Sequence, residues 1–388
     1  MDFRWTEEQE AIRTEVQRLC SQFGDNYWRE QDAKGEFPEE FYQAMAKGGW
    51  LGVAMPEEYG GSGLGVTEAA LILHEVAASG ACMSGASAVH MNIFGVNPLV
   101  VHGTPEQKAA WLPDVIAGKT KVAFGVTEPD VGLDTTHLQT RAVREGDHFR
   151  VQGRKVWIST AQVAHKILLL ARTTPLDEVS RPTEGLSLFF TDLDRSAIDV
   201  REIDKTGRAA VDSNELFIDD LKVPVDHLLG EEGRGFYHIL DGINPERVLV
   251  AAEAVGMGRV ALKRAVAYAK ERVVFGRPIG QNQAVQHPLA ESWAQLEAAD
   301  LLTFKAAWLY DNGLPCGAES NAAKYLAAEV GFQAADRAMQ THGGYGYSKE
   351  FHVERYWREA KIPRLAPVSP ELILCYIAER VLGLPRSY

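Results

Sequence analysis

What most narrows the fold is a change of hydrophobic rhythm that happens twice along the chain. Residues 1–118 repeat apolar side chains every three or four positions, residues 119–232 carry short β-branched and aromatic runs between turn residues, and residues 233–388 return to the helical spacing. Helices, then strands, then helices, with no recurring unit, predict an α+β chain: an N-terminal helical domain (1–118), a central β-barrel or sandwich domain (119–232) and a C-terminal helical bundle (233–388). The same order excludes the alternating βαβ units of a doubly wound dinucleotide fold. With 388 residues, 46% of them hydrophobic, the chain can fill the cores of two or three such domains.

Local signals fill in this outline. Thr6 and Gln9 have capping-box spacing, and Ile12, Val16, Leu19 and Phe23 then trace one helical face that ends near Gly24. FPEEFYQAMAKGG, VTEAALILHEVA and TPEQKAAWLPDVIAG read as further helices, with YGGSGLG as a turn. KVAFGVTE, HFRVQGRKVWIST after an EGD turn, KILLLART, GLSLFFTDL and NELFIDDLKV read as strands, and TTPLDEVSRPTEG as a surface loop. Beyond GEEGRG, the residues Val248, Ala252, Val255, Leu262 and Val266 mark one face of a long helix.

Charge and cysteine usage bound the partners. A formal net charge of -13 argues against a nucleic-acid or anionic-membrane surface, since both need concentrated Lys and Arg. Cys20, Cys82, Cys316 and Cys375 lie far apart with no CxxC pair, which predicts reduced thiols and no metal site. The chain opens directly as an amphipathic helix, with no leader-like segment and no run of about 18 apolar residues. The expectation is a cytoplasmic protein with no membrane span. GGSGLGV does not match GxGxxG and lies between helices, so a nucleotide cofactor must be held by other means.

Four segments in one order carry a family resemblance: FGVTEPDVGLDTTHLQTRA (124–142), KVWIST (155–160), ERVVFGRPIGQNQAVQHPLA (271–290) and QTHGGYGYSKEFHVER (340–355). Together they resemble the acyl-CoA dehydrogenase flavoproteins. The resemblance implies FAD, an acyl-CoA thioester substrate, a homodimer or homotetramer, and an electron-transferring flavoprotein as acceptor. It places Phe124, Val126 and Thr127 beside the flavin ring, and Trp157 with Ser159 over the ring and its polar edge. Arg272 is suited to the pyrophosphate, because a guanidinium offers fixed donors to phosphate oxygens. Phe275, Gln283, Gln340, Gly343 and Gly344 would serve the adenosine side from a neighbouring subunit. Ser369 and Glu371 stand where relatives contact FAD and its ribose, though Val368 and Pro370 depart from the usual pattern there. Asp130 and Leu133 depart from the family's Gly-rich turn and its Ser.

The decisive departure is Pro367, which stands where many members carry the catalytic glutamate. Proline has no ionisable group and cannot take the proton α to a thioester. In GINPERVLVAAEAVG, Asn244 reads as an N-cap, Pro245 as the first helical residue and Glu246 as a first-turn carboxylate. Helix capping alone accounts for that pattern. The Glu246-Arg247 pair nevertheless resembles the LERL of isovaleryl-CoA dehydrogenase, whose base comes from this helix. That resemblance assigns Glu246 as base, with Arg247 and Asn244 near the substrate, in a position compatible with branched-chain or long acyl groups. Two rivals remain: a flavin-bound lyase of the acyl-CoA desulfinase type, and a non-enzymatic binding protein on the same fold.

Overall fold

The computed structural model describes residues 4–387. Its first part is helical: α1 (Glu7–Cys20), α2 (Asp25–Lys34), α3 (Glu39–Lys47), α4 (Val66–Val76), α5 (Cys82–His90), α6 (Asn97–His102) and α7 (Pro105–Ile116). The Thr6–Gln9 capping box is present, and Ile12, Val16 and Leu19 are buried as their spacing requires. A second capping box, Thr104 with Gln107, opens α7.

The central part is one sheet built from β1 (Val122–Gly125), β2 (Arg141–Glu145), β3 (His148–Ser159), β4 (Lys166–Arg172), β5 (Leu186–Asp192), β6 (Ile198–Glu202), β7 (Ser213–Pro224) and β8 (Leu228–Leu229). The strand order is β6-β7-β3-β2-β4-β5-β8, with β1 running parallel to β4. Strand β4 explains why KILLLA does not alternate. Ile167, Leu169 and Ala171 face the core inside the sheet, while Leu168 and Leu170 pack outward with Leu99, Leu112 and Val115 of the first helical part. Strands β2 and β6 carry no clear strand pattern in the sequence because their outward positions are charged and exposed.

After α8 (Gly235–Leu240), the long helix α9 (Ile243–Glu271) leads through a hairpin of β9 (Val273–Val274) and β10 (Arg277–Pro278) into α10 (Gln283–Asp311), α11 (Gly317–His342), α12 (Val353–Glu359) and α13 (Pro370–Tyr376). The architecture is therefore the expected α+β one. Helix α9 is buried all round from Val248 to Gly258 rather than on one face, since it is packed by α4, α10 and α11 together. Small residues permit this. A Cβ at Gly256 would meet the His74 carbonyl of α4 at 2.4 Å, and one at Gly331 the Ala254 carbonyl at 2.5 Å. This close approach fixes α9 against the helices that precede the sheet.

Among the described residues one stretch, Val66–His102, is long and apolar enough to span a bilayer by length and composition alone. It is a core element here, since 89% of its most apolar window is buried.

The cysteines follow the same burial. Cys20, Cys82 and Cys316 are buried, Cys375 is partly exposed, and burial pushes the Cys20 thiol up to about 12 and raises that of Cys82. Titration of the folded protein with an aromatic disulfide reagent is expected to modify Cys375 rapidly and the other three only after unfolding.

Candidate active site

Two strands assemble the first group of candidate residues. The segment after β1 lies along β3: the Val156 N–H donates to the Thr127 carbonyl at 2.9 Å, and Lys155 Nζ donates to the Val126 carbonyl at 3.0 Å. Lys155 is fully buried and paired with the buried Glu128 at 2.9 Å. Burial lowers the lysine to about 8 despite the carboxylate. Burial also pushes Glu128 upward, but the Lys155 ammonium and the Gln139 and Thr140 N–H donors outweigh it and hold it below the usual carboxylate range. This ion pair ties the segment carrying Phe124, Val126 and Thr127 to the strand carrying Trp157 and Ser159.

Trp157 sits where the β3–β7 register slips between Lys155 and Ile158, with φ 61° and 59% exposure. A tryptophan in the left-handed region costs on the order of 1–3 kcal/mol, and here more than half of the side chain is exposed. Such a bulge does one useful thing: it turns a flat aromatic surface out of the sheet. Ser159 accepts a hydrogen bond from Arg208 Nη2 at 2.9 Å, and Arg208, itself at φ 58°, also reaches Ser87 and Ser213. Trp157→Gly is expected to leave the apoprotein as stable or about 1 kcal/mol more stable, by releasing the strained φ, while lowering flavin retention. Parallel urea unfolding and flavin quantification check both halves.

A second group forms around the end of α9. Arg272, Gly343 and Gly344 line a 540 Å³ cleft with Tyr268, Thr341 and Tyr345. Arg272 lies 5.8 Å from the Tyr345 ring centre, and Tyr268 stacks on His342. Gly343 has φ +59°, and a Cβ on either glycine would meet only open space, so the backbone is bare toward the cleft. Gln340 is exposed in the last turn of α11, Gln283 is exposed at the start of α10, and Phe275 is 100% exposed at the tip of the β9–β10 hairpin. Among the described residues no hydrogen bond or ring contact joins this second group to Trp157 or Ser159 within one chain.

The third group surrounds Glu246. Helix α9 begins at Ile243 with Gly242 as its N-cap, so Asn244 is not the cap expected from the sequence, nor Pro245 the first helical residue. Helix α8 runs almost directly into α9, and the Asn244 Oδ1 is occupied by Arg247 Nη1 at 3.0 Å. Glu246 stays in the first turn. Burial lowers the Arg247 guanidinium's pKa and leaves its Nε without a partner. Lys324, also buried, donates to the Val368 carbonyl at 2.6 Å. Burial and the nearby Arg247 depress it to about 8. Ser369 Oγ caps α13 by accepting from the Leu372 N–H, and Glu371 is exposed, its carboxyl held low by its own backbone N–H and the Ser369 hydroxyl. Leu133 is 57% exposed on its loop.

Sequence reasoning missed His90 of α5 and Glu253 of α9. His90 Nε2 lies 2.8 Å from Glu246 Oε2, and His90 Nδ1 lies 2.7 Å from Glu253 Oε1. The available signals were a histidine and a carboxylate inside otherwise apolar runs, and the seven-residue spacing that puts Glu246 and Glu253 on one helical face.

A sheet between two helical parts of the chain, with a strained exposed indole, a glycine-lined cleft holding an arginine and a first-turn glutamate, has the layout of a flavin-dependent oxidoreductase. Comparison with known proteins names it. Residues 6–119, 123–221 and 233–382 match the N-terminal, middle and C-terminal domain models of acyl-CoA dehydrogenase. The chain is 38% identical to an acyl-CoA dehydrogenase, fadE12, of Mycobacterium bovis over 99% of this chain and 98% of that protein. It is 35% identical to the Caffeyl-CoA reductase-Etf complex subunit CarC of Acetobacterium woodii, over 86% and 87%. The butyryl-CoA dehydrogenase structure from Megasphaera elsdenii superimposes with a TM-score of 0.93 at 31% identity, covering 98% of this chain and 100% of that one. The chain belongs to the acyl-CoA dehydrogenase family. It is an FAD-dependent oxidoreductase acting on acyl-CoA thioesters. The residues described fit that cofactor: the open glycine backbone and Arg272 suit its phosphates, and the outward indole suits its ring.

Proposed function

We propose that this chain oxidises an acyl-CoA to the 2-enoyl-CoA, with Glu246 as the base that takes the α proton. The observation that carries the assignment is the geometry of Glu246: one oxygen is held by His90, while Oε1 has no hydrogen-bond partner among the described residues. Pro367, at the position many relatives give to a glutamate, supports the same reading. FAD, when bound, supplies the hydride acceptor for the β carbon. Trp157 would cover the ring, the Val126–Thr127 backbone would border it, and Arg272 with Gly343 and Gly344 would hold the pyrophosphate side. Because the last group does not touch Trp157 within one chain, and Phe275 stands wholly exposed, we assign it to the cofactor of a second copy, making the working unit at least a homodimer. Electrons then leave to an electron-transferring flavoprotein, a reading supported by the CarC relative's name.

Anaerobic titration of the flavin with a panel of straight, branched and aromatic acyl-CoAs tests this function. Bleaching by one chain class, with stoichiometric 2-enoyl-CoA, is expected. A yellow protein that no thioester reduces contradicts it and favours a lyase or binding role.

A further inference from the structure

The His90 contacts impose a proton count. A neutral imidazole has one N–H and one lone pair, and a carboxylate only accepts. His90 has a carboxylate oxygen within 2.8 Å on each ring nitrogen, so both contacts are hydrogen bonds only when a second proton resides in the cluster. The surroundings keep that proton there. His90 and Glu253 are 7% and 1% exposed, and Glu253 Oε2 is buried with no partner. Among the described residues, no lysine or arginine meets either carboxylate by hydrogen bond or ion pair, and His90 is the side chain both of them contact.

We propose that His90, backed by Glu253, is the positioning residue for Glu246: the Glu253–His90–Glu246 chain holds Glu246 Oε2 and leaves Oε1 free to meet the substrate. The inference rests on Glu246 being the base. Glu246 and Glu253 reach His90 from positions about two turns apart on one face of α9, while α5, whose last residue is His90, packs across them. Other charges lie further along. Arg208 approaches from the β6–β7 connection through Ser87, one turn before His90, and is electrostatically linked to Glu253. Glu359 of α12, paired with Arg355, binds Ser84 nearer the start of α5. From α4, Glu75 is directed to Arg13, and His74 to Glu75 and Asp300, instead. Desolvation disfavours the charged ring, but the two carboxylates outweigh it and raise His90 well above the ordinary histidine range.

The cluster also sets what proton abstraction requires. As Glu246 Oε1 takes the α proton, its negative charge is lost next to an imidazolium that remains paired with Glu253. The imidazolium thus faces the carboxylate before the step, and Glu253 keeps the imidazolium's charge compensated after it. A neutral glutamine at either position removes one half of this arrangement.

The test is the pH dependence of anaerobic flavin reduction by a saturating acyl-CoA in holoenzyme carrying Glu253→Gln or His90→Gln, with Glu246→Gln alongside. The inference expects the acidic midpoint of the reduction rate to rise by about 1 unit or more in the first two variants, since loss of a neighbouring cation shifts a carboxylate by about that much. KM is expected to change little. A fall in rate that is uniform across pH, with the midpoint unmoved, overturns it as a merely structural effect. Rapid reduction in Glu246→Gln overturns the base assignment and this inference with it, whereas slow reduction there with unmoved midpoints in the others overturns this inference alone. If neither variant retains flavin, ring-nitrogen NMR of histidine-labelled native holoenzyme decides. A doubly protonated histidine persisting to about pH 8, above the ordinary value near 6.5, supports the cluster, and its absence overturns it.

Discussion

Replacing Glu246 with glutamine is expected to slow acyl-CoA-driven flavin reduction by about 10²- to 10⁴-fold, the scale of a lost general base. Glutamine keeps the shape of the side chain and can still meet His90, but its amide cannot accept the α proton. The site around it does not depend on the charge for its construction, because Asn244 is bonded to Arg247, and Lys324 holds the 366–371 segment through Val368. Flavin content and thioester binding are therefore expected to survive, so the loss falls on the reduction step rather than on KM. Stopped-flow reduction under anaerobic conditions separates the two. A variant that reduces its flavin within about tenfold of the native rate would place the base elsewhere.

The second large effect concerns the pair beneath the flavin strands. Lys155→Met is expected to destabilise the protein by about 3–5 kcal/mol, because it removes one member of a buried ion pair and strands the other. Glu128 would keep the Gln139 and Thr140 N–H donors but lose its ammonium partner at 2.9 Å, and the Val126 carbonyl would lose its donor at 3.0 Å. The double change Lys155→Met with Glu128→Gln is expected to recover part of the loss, as no uncompensated charge then remains. Denaturant unfolding of the single and double variants measures both, and flavin retention should fall in step with the single variant. Equal destabilisation by the single and double changes would show that the pair's charge is not what matters.

How far the sequence carries such an account depends on the range of the interaction involved. Helices whose signals are local, such as α1 with its Thr6–Gln9 box, are legible because cap and amphipathic face lie within a few residues. Strands β2 and β6 are not, since RAVRE and IDVRE place charges outward and owe their pairing to β3, β4 and β7. Asn244 shows a local rule overruled: a good capping residue was passed over because α8 delivers the chain already turning, and its amide went to Arg247. Trp157 was legible as a candidate by resemblance, but its bulge and positive φ arise only from its pairing with β7. His90 lies 156 positions from Glu246 and 163 from Glu253. No pattern within one segment joins them; only the packing of α5 on α9 does.

The central claim is that Glu246 removes the proton α to the thioester, and α-proton exchange measures that step without requiring hydride transfer. An aryl-acetyl thioester, which has α hydrogens but no β hydrogen to give, would be incubated with holoenzyme in deuterated water and its α position followed by NMR. The account predicts enzyme-dependent exchange in the native protein that falls to the uncatalysed rate in Glu246→Gln. Exchange continuing at the native rate in that variant would contradict it.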